Sequence, residues 1–296
     1  SRSLGRKKGL IFAALLFTLS AIGSSMPENM NIFGVEDIVS FIIYRIIGGI
    51  GVGLASMISP MYIAEISPAK IRGKMVAWNQ FAIIFGMLVI YFVNFFIARG
   101  SPEQWIDSTG WRWMFGSETI PAMLFLLLLF FAPETPRYLV MKDKKQKAMN
   151  LLQRINGNII AGNVMKEIEI SLKEKSLPWL SFGGLVIIIG IMLSVFQQFV
   201  GINVVLYYAP EIFRNMGAGT ESALWQTIIV GIINLTFTVI AIFTVDKFGR
   251  KPLQIIGAAG MAIAMSGLGL AFFFNSLGTI ALVFILLYIA AFAVSW

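Results

Sequence analysis

Apolar residues collect into long runs along this chain, and shorter polar stretches separate the runs. Each run has roughly the 20 mostly apolar residues that an α-helix needs to cross the hydrocarbon core of a bilayer. The pattern therefore predicts an all-α membrane protein. The predicted spans cover residues 9–26, 38–63, 74–98, 112–132, 180–208, 223–245, 253–274 and 278–296.

A polar stretch at 133–179 separates the first four runs from the last four. Within it, KDKKQKAMNLLQRI and KEIEISLKEK place apolar residues at helical spacing between charged ones. We expect short amphipathic helices that pack together, because the apolar side chains of Leu151, Leu152 and Ile155 would otherwise face water. The predicted parts are an incomplete transmembrane half at 1–137, a cytoplasmic helical segment at 138–178 and a second incomplete transmembrane half at 179–296.

Basic residues are concentrated in alternate loops. Of the 23 Lys and Arg residues, 19 lie before the first run, after the second, between the fourth and fifth, and after the sixth. The positive-inside rule makes these loops cytoplasmic. The net charge of +8 therefore reflects orientation in a lipid bilayer and requires no nucleic-acid partner.

Composition removes most classes of enzyme. The chain is 57% hydrophobic and 13% charged, and it contains neither Cys nor His. A thiolate nucleophile, a Ser-His-Asp triad and zinc sites built on these residues are therefore excluded. We predict that the protein is not an enzyme and holds no metal or cofactor.

Two basic motifs repeat along the chain. Leu4-Gly5-Arg6-Lys7-Lys8 and Phe248-Gly249-Arg250-Lys251 each precede a predicted span on the cytoplasmic side. Parallel repeats of this kind occur in transporters that have two matched halves. If the halves match, we expect two spans before Ser1 and two after Trp296, so that about eight of twelve spans are present here.

Several further motifs, in order along the chain, resemble the sugar porter family of the major facilitator superfamily. They are RIIGGIGVG at 45–53, PMYIAE at 60–65, Arg72-Gly73, PETPR at 133–137, QQFVGIN at 197–203 and DKFGRK at 246–251. The resemblance implies a major facilitator fold of two six-helix halves in the cell inner membrane. It also implies alternating-access transport of a monosaccharide, xylose or a related pentose or hexose, with a proton as the coupling ion. A facilitative uniporter and a non-transporting sugar sensor remain as alternatives.

Amide side chains within the apolar spans point to a neutral ligand rich in hydroxyls. Each amide offers two donors and an acceptor, and each sugar hydroxyl is itself a donor and an acceptor. Single amides are more often interhelical contacts, but Gln197 and Gln198 are adjacent, and Gly201 and Pro210 beyond them weaken the helix as a gating segment requires. The predicted sugar-binding residues, most of which match the family's sugar-contacting positions, are Gln80, Gln197, Gln198, Asn203, Asn234, Trp296 and Tyr207.

Met87 and Tyr207 bear on which sugar is bound and on which residues bind it. By the resemblance, Met87 stands where a xylose-transporting member of the family has glutamine and glucose facilitators have an apolar residue, which argues against a preference for pentoses. Tyr207 lies near a span end, where aromatic residues are more often interface anchors.

Arg45 and Glu118 are charged residues inside predicted spans. A charge at such a depth costs at least about 2.5 kcal/mol unless it is paired or hydrated. The resemblance implies that Arg45 faces a proton-coupling aspartate on the family's first span. Glu118 is either a second coupling residue or an interhelical hydrogen-bonding group.

Acidic and basic residues recur at the cytoplasmic span ends of both halves. Surface pairs are each worth about 0–1 kcal/mol, so membrane orientation alone accounts for their presence. The family resemblance favours a network that closes the inner face. The predicted gate residues are Arg6, Glu65, Arg72, Glu134, Arg137, Asp246 and Arg250.

The glycine run at 48–53 lies inside an apolar span, which argues against a nucleotide-binding loop. We expect close helix packing instead, with Gly49 and Gly53 one turn apart on the packed face.

Overall fold

The computed structural model describes residues 5–29, 34, 36–173, 183–274 and 278–295, and the regular elements in these ranges are helices. The helices of the first part are α1 (Arg6–Ser25), α2 (Asp37–Ile66), α3 (Arg72–Ala98), α4 (Glu103–Trp105), α5 (Trp111–Ser117), α6 (Thr119–Phe131), α7 (Pro136–Met141) and α8 (Lys145–Lys173). A 3-10 turn at Ala69–Ile71 precedes α3, and a π turn at Ile106–Gly110 joins α4 to α5. The remaining helices are α9 (Gly184–Phe199), α10 (Ile202–Tyr207), α11 (Ala209–Asn215), α12 (Thr220–Phe248), α13 (Arg250–Phe273) and α14 (Thr279–Ser295).

Seven helical stretches in the described ranges are long and apolar enough to cross a membrane. They cover Arg6–Ser25, Asp37–Ile66, Ala69–Ala98, Glu103–Phe131, Gly184–Tyr207, Thr220–Val245 and Lys251–Phe273. The first seven predicted runs are thus confirmed as candidate spans. The eighth run forms α14, a shorter apolar helix of 17 residues.

The fourth span is longer than its hydrophobic pattern predicts. It begins at Glu103 instead of at 112, because the helix continues through the polar residues of the π turn. A second irregularity separates α5 from α6 at Glu118. Pro121 has no N–H to donate to the carbonyl of Ser117, and this missing bond lies beside the break.

The fifth span is broken where the sequence predicts weakness. Gly201, at φ +83°, separates α9 from α10 in a left-handed conformation that glycine adopts without steric cost. Pro210 lies in the first turn of α11, and Tyr208 between α10 and α11 is not in helical geometry. The weakening of the helix predicted at Gly201 and Pro210 is therefore confirmed.

The chain divides into two compact units. Unit 1 comprises Ser1–Asn79 and Gln104–Ser176, and unit 2 comprises Gln80–Glu103 and Leu177–Trp296. In unit 1, α1 packs against α2, α5 and α6; in unit 2, α14 packs against α12 and α13. The predicted boundaries at 137 and 178 stay predictions.

The cytoplasmic segment has a core of its own. Val140, Ala148, Leu152, Ala161 and Met165 are buried together, and Leu151 and Ile155 are partly buried. Gly157 at φ +77° interrupts α8 between its two arms. The second arm extends further towards its N-terminus than the predicted helix, because Ala161 and Met165 continue the apolar stripe.

Small residues allow α1 and α2 to approach closely, but they are not the two predicted glycines. A Cβ at Gly48 would lie 2.4 Å from the Ser20 hydroxyl, and one at Gly51 would lie 3.2 Å from Phe17. No atom lies within 4 Å of a Cβ built at Gly49 or Gly53 among the positions the structure describes. The prediction of close packing is confirmed, but the contacts are made at Gly48 and Gly51 instead of at Gly49 and Gly53.

Candidate functional site

Charged residues predicted to form the gate cluster at one end of unit 1. Arg6 is 5% exposed, and its Nη2 donates to Glu65 Oε1 at 2.8 Å. Glu134 Oε1 accepts the backbone N–H groups of Arg6, Lys7 and Thr135, each at 3.1 Å. The first N–H groups of a helix have no acceptor within it, so Glu134 caps α1 from a distant part of the chain.

The predicted gate residues thus fall into three sets. Arg6, Glu65 and Glu134 form the cluster above. Arg72 is exposed and Arg137 is partly buried, and neither forms an ion pair with another residue among those the structure describes. The side chains of Asp246 and Arg250 lie outside the described residues.

The two copies of the basic motif share one backbone geometry. Gly5 has φ +84° and ψ 168°, and Gly249 has φ +80° and ψ 161°. This region is accessible almost only to glycine. Each glycine immediately precedes a helix, so the repeat seen in the sequence corresponds to a repeated turn.

Arg45 and Glu118 lie together inside unit 1. Arg45 Nη1 is 3.7 Å from Glu118 Oε2, and the two side chains are 46% and 42% exposed. Both residues line a cavity of about 460 Å³, which also contacts Phe17, Ser20, Gly48, Gly49, Val52, Pro121, Ala122 and Phe125. The two candidate coupling residues are thus brought together beside accessible space.

The amide residues of the fifth span meet at its break. Asn203 Nδ2 donates to Gln198 Oε1 at 3.0 Å across Gly201. Gln198 and Asn203 are exposed, and Gln197 is partly buried. Their free donors and acceptors are available to a ligand with several hydroxyl groups.

Two tyrosines that the sequence reasoning missed hold this broken segment within unit 2. Tyr288 is 1% exposed, and its hydroxyl donates to the carbonyl of Val200 at 2.7 Å. The Tyr91 hydroxyl donates to the carbonyl of Leu206 at 2.9 Å. Pro210 has no N–H to offer that carbonyl, so Tyr91 satisfies a group that the proline leaves without its helical donor.

The other predicted sugar-binding residues are dispersed over unit 2. Asn234 is 4% exposed within α12, Gln80 is exposed on α3, and Tyr207 is 70% exposed at the end of α10. Met87 packs against the core that contains Val205 and Leu206. Trp296 lies outside the described residues.

An ion pair in the outer part of unit 1 also escaped the sequence reasoning. Glu28 follows α1, and both of its carboxylate oxygens accept from the guanidinium of Arg112, with Arg112 Nη1 2.7 Å from Glu28 Oε2. These hydrogen bonds lower the pKa of the Glu28 carboxyl below its ordinary value. Glu28 and Arg112 are far apart in sequence, and no spacing rule links them. No group of three or more acidic residues that suits a metal ion is present in the described ranges.

Comparison with known proteins places these features in a family. The family model described as sugar (and other) transporter matches residues 1–296. The D-xylose-proton symporter of Escherichia coli (strain K12) is 56% identical over 309 residues, which cover 100% of this chain and 63% of that protein. The arabinose-proton symporter of Bacillus subtilis is 42% identical, and the glucose facilitated diffusion protein of Zymomonas mobilis is 40% identical. These matches cover 100% and 99% of this chain and 63% of each relative, so the chain spans less than two thirds of their length.

Comparison with solved structures gives the same family. The partially occluded inward-open conformation of the xylose transporter XylE from Escherichia coli superposes with a TM-score of 0.90 at 55% identity, covering 100% of this chain and 68% of that one. The proton:xylose symporter XylE bound to 6-bromo-6-deoxy-D-glucose gives a TM-score of 0.86 at 56% identity, covering 100% and 65%. The resemblance predicted from the motifs and the all-helical major facilitator fold are confirmed. The chain is a multi-pass membrane protein of the sugar transporter family.

Proposed function

We propose that the complete protein is a secondary transporter that moves a monosaccharide across the inner membrane by alternating access, coupled to a proton. The observation that carries the proposal is the broken fifth span of a sugar transporter family member, where Gln198 and Asn203 are joined across Gly201. A helix interrupted at membrane depth is expected where it lines a cavity. The activity is transport instead of catalysis, and it uses no cofactor.

The proposed substrate is a neutral pentose or hexose. The names of the relatives specify xylose, arabinose and glucose, and one XylE structure holds a bromo-deoxy-glucose. Amide side chains suit such ligands, because they pair with hydroxyls without introducing a charge that the sugar cannot neutralise. The proposed sugar-binding residues are Gln80, Gln197, Gln198, Asn203, Asn234, Trp296 and Tyr207.

Arg45 and Glu118 are the proposed coupling residues. Their 3.7 Å separation and partial exposure leave the guanidinium able to exchange partners. A carboxylate that approaches Arg45 would compete with Glu118 when ionised and release the guanidinium when protonated. Proton uptake would thereby change which charges are paired, as coupling requires.

The cytoplasmic residues are proposed to form the inner gate. Arg6, Glu65 and Glu134 join α1 to the last turn of α2 and to the segment that follows α6. Arg72, Arg137, Asp246 and Arg250 are assigned to the same gate from their positions at span ends. The repeated glycine turns support the view that both halves contribute.

Facilitated diffusion is the second candidate function. One relative at 40% identity is named a glucose facilitated diffusion protein. Met87 also supplies an apolar side chain to the core beside α10. A uniporter would use the same amides and gate without proton coupling at Arg45.

Calorimetric titration of sugar into purified Gln198→Ala protein tests the binding site. We expect no measurable heat of xylose or glucose binding. The variant removes an amide side chain that would contact the sugar, and it leaves Asn203 without its hydrogen-bond partner. Gln153→Ala alters an exposed glutamine of α8 and is the matched control, expected to bind as the parent does. Unchanged affinity in Gln198→Ala would remove this residue from the site.

Uptake into proteoliposomes distinguishes symport from uniport. We expect an imposed pH gradient, acidic outside, to drive accumulation of sugar above its external concentration. Arg45→Leu should abolish this accumulation while retaining counterflow, which needs only the alternating cycle. Parent protein that ignores the gradient would establish the uniporter instead.

A further inference from the structure

Aromatic and charged side chains form a continuous ladder between two facing helical segments of unit 1. Phe41 and Arg45 are four residues apart on α2, so they share one face. Trp111, Phe115 and Glu118 have helical spacing along the facing segment. We call these five residues the Phe115 ladder.

The aromatic members of the ladder contact one another edge-on. The Phe41 ring centroid is 5.3 Å from that of Phe115 and 6.1 Å from that of Trp111. Trp111 and Phe115 are 6.2 Å apart. These separations lie in the favourable range for aromatic pairs, so Phe115 is fixed from two sides.

Guanidinium groups lie over this aromatic run at both ends. The Arg112 guanidinium carbon is 4.5 Å from the Trp111 ring centroid, and Arg112 is also paired with Glu28. The Arg45 guanidinium carbon is 5.0 Å from the Phe115 centroid. Both distances meet the criterion of about 6 Å for a cation–π interaction.

The ring holds Arg45 more directly than the neighbouring carboxylate does. Arg45 Nη1 is 3.7 Å from Glu118 Oε2. This distance is longer than the range of about 2.7–3.2 Å that is usual for an N–H···O hydrogen bond. The attraction of the ring, unlike that of a carboxylate, does not change when a proton binds.

We propose that Phe115 is a positioning residue that keeps the Arg45 guanidinium in place while its carboxylate partners gain and lose protons. The inference rests on the proposed function, in which Arg45 takes part in proton coupling. The charged groups around it in the ladder are Glu118 directly and the Arg112–Glu28 pair at the outer end. Without the ring, Arg45 would be free to leave its site whenever Glu118 or another facing carboxylate is neutral.

Three variants of the protein expressed from its complete gene test this role. Phe115→Leu removes the aromatic face and retains an apolar side chain. Phe115→Tyr retains the face. Phe273→Leu is the matched control, because Phe273 forms an edge-on aromatic pair with Phe274, and no guanidinium lies over that pair among the residues that the structure describes.

The measurement is the ratio of gradient-driven sugar accumulation to counterflow in proteoliposomes. We expect Phe115→Leu to lower this ratio about two- to five-fold, the factor that corresponds to an exposed cation–π interaction. Phe115→Tyr and Phe273→Leu should keep the parent ratio. Loss of folded protein alone lowers accumulation and counterflow together and leaves the ratio unchanged.

The possible outcomes separate the inference from the function on which it depends. A coupled parent with equal ratios in Phe115→Leu and Phe273→Leu would overturn the role of Phe115 and leave symport intact. A low ratio in Phe115→Tyr, with the aromatic face present, would also overturn it. A parent that does not respond to the gradient would overturn symport, and the positioning role with it.

Discussion

Replacing Glu134 by glutamine tests how strongly one carboxylate holds the cytoplasmic end of unit 1. Glu134 Oε1 accepts the N–H groups of Arg6 and Lys7 at the start of α1, and also that of Thr135. Glutamine has nearly the same shape and retains an oxygen acceptor. The substitution therefore removes the charge and little else.

The expected magnitude follows from these contacts. Hydrogen bonds to charged groups are worth about 1.5–3 kcal/mol and neutral ones about 0.5–1.5 kcal/mol, so the charge contributes about 1 kcal/mol here. Its interaction with the N-terminal dipole of α1 adds about 0.3–1 kcal/mol. Glu134→Gln should thus lower the free energy of unfolding by about 1–2 kcal/mol. Glu134→Ala should lower it more, by about 2–6 kcal/mol, because two N–H groups of α1 lose their acceptor.

Thermal unfolding of the purified protein in detergent, at one fixed scan rate, is the assay. With about 2–4 °C of melting temperature per kcal/mol, we expect Glu134→Gln to melt about 2–8 °C below the parent. Glu211→Gln is the matched control, because Glu211 is exposed and its pair with Arg214, one helix turn away, is weak at 3.8 Å. Equal melting temperatures for the two glutamine variants would refute the capping role of Glu134.

Two further predictions concern single hydrogen bonds and an ion pair. Tyr91→Phe leaves the Leu206 carbonyl without its donor, and we therefore expect faster amide hydrogen exchange in α10. Tyr62→Phe removes a similar hydrogen bond in unit 1 and should leave exchange in α10 unchanged. Exchange in α10 that is equal in both variants would contradict the account of the proline break. The hydrogen bonds from Arg112 lower the pKa of Glu28 below 4.5. The pair therefore stabilises the fold fully above pH 4.5, and this stabilisation is lost as the pH falls through the lowered pKa of Glu28. The melting difference between Glu28→Gln and the parent should therefore be present at pH 7 and shrink below pH 4.5, and a difference that grows on acidification would contradict the assigned sign.

Periodicity predicted the spans because a bilayer imposes a minimum length of apolar helix on any sequence that crosses it. It failed where the helix is longer than the hydrophobic run. The fourth span begins at Glu103, because the backbone groups of the polar π turn at Ile106–Gly110 still form hydrogen bonds within the chain. It also chose the wrong glycines in α2. Gly48 and Gly49 are adjacent, and only the partner helix decides which of them faces Ser20.

The candidate site shows the same division between local and tertiary information. Gly201 and Pro210 are visible in the sequence, and each predicts a backbone group without its helical partner. Which side chain satisfies that group is set by other helices, so Tyr91 and Tyr288 carried no signal in the sequence. A useful rule follows: for every proline in a spanning helix, the carbonyl four residues earlier needs a donor from elsewhere.

Arg6 and Arg45 show why depth in the sequence does not predict the state of a charge. Arg6 lies at the end of a span yet is 5% exposed, and its hydrogen bond to Glu65 is 2.8 Å long. Arg45 lies well inside a span yet its side chain is 46% exposed, and its carboxylate partner is 3.7 Å away. A short, buried pair resists separation, because breaking it leaves an uncompensated charge. A longer pair beside a cavity exchanges partners at lower cost, and the proposed coupling role of Arg45 requires such an exchange. The contrast therefore supports the proposed coupling role of Arg45, whereas Arg6 holds α1 to α2.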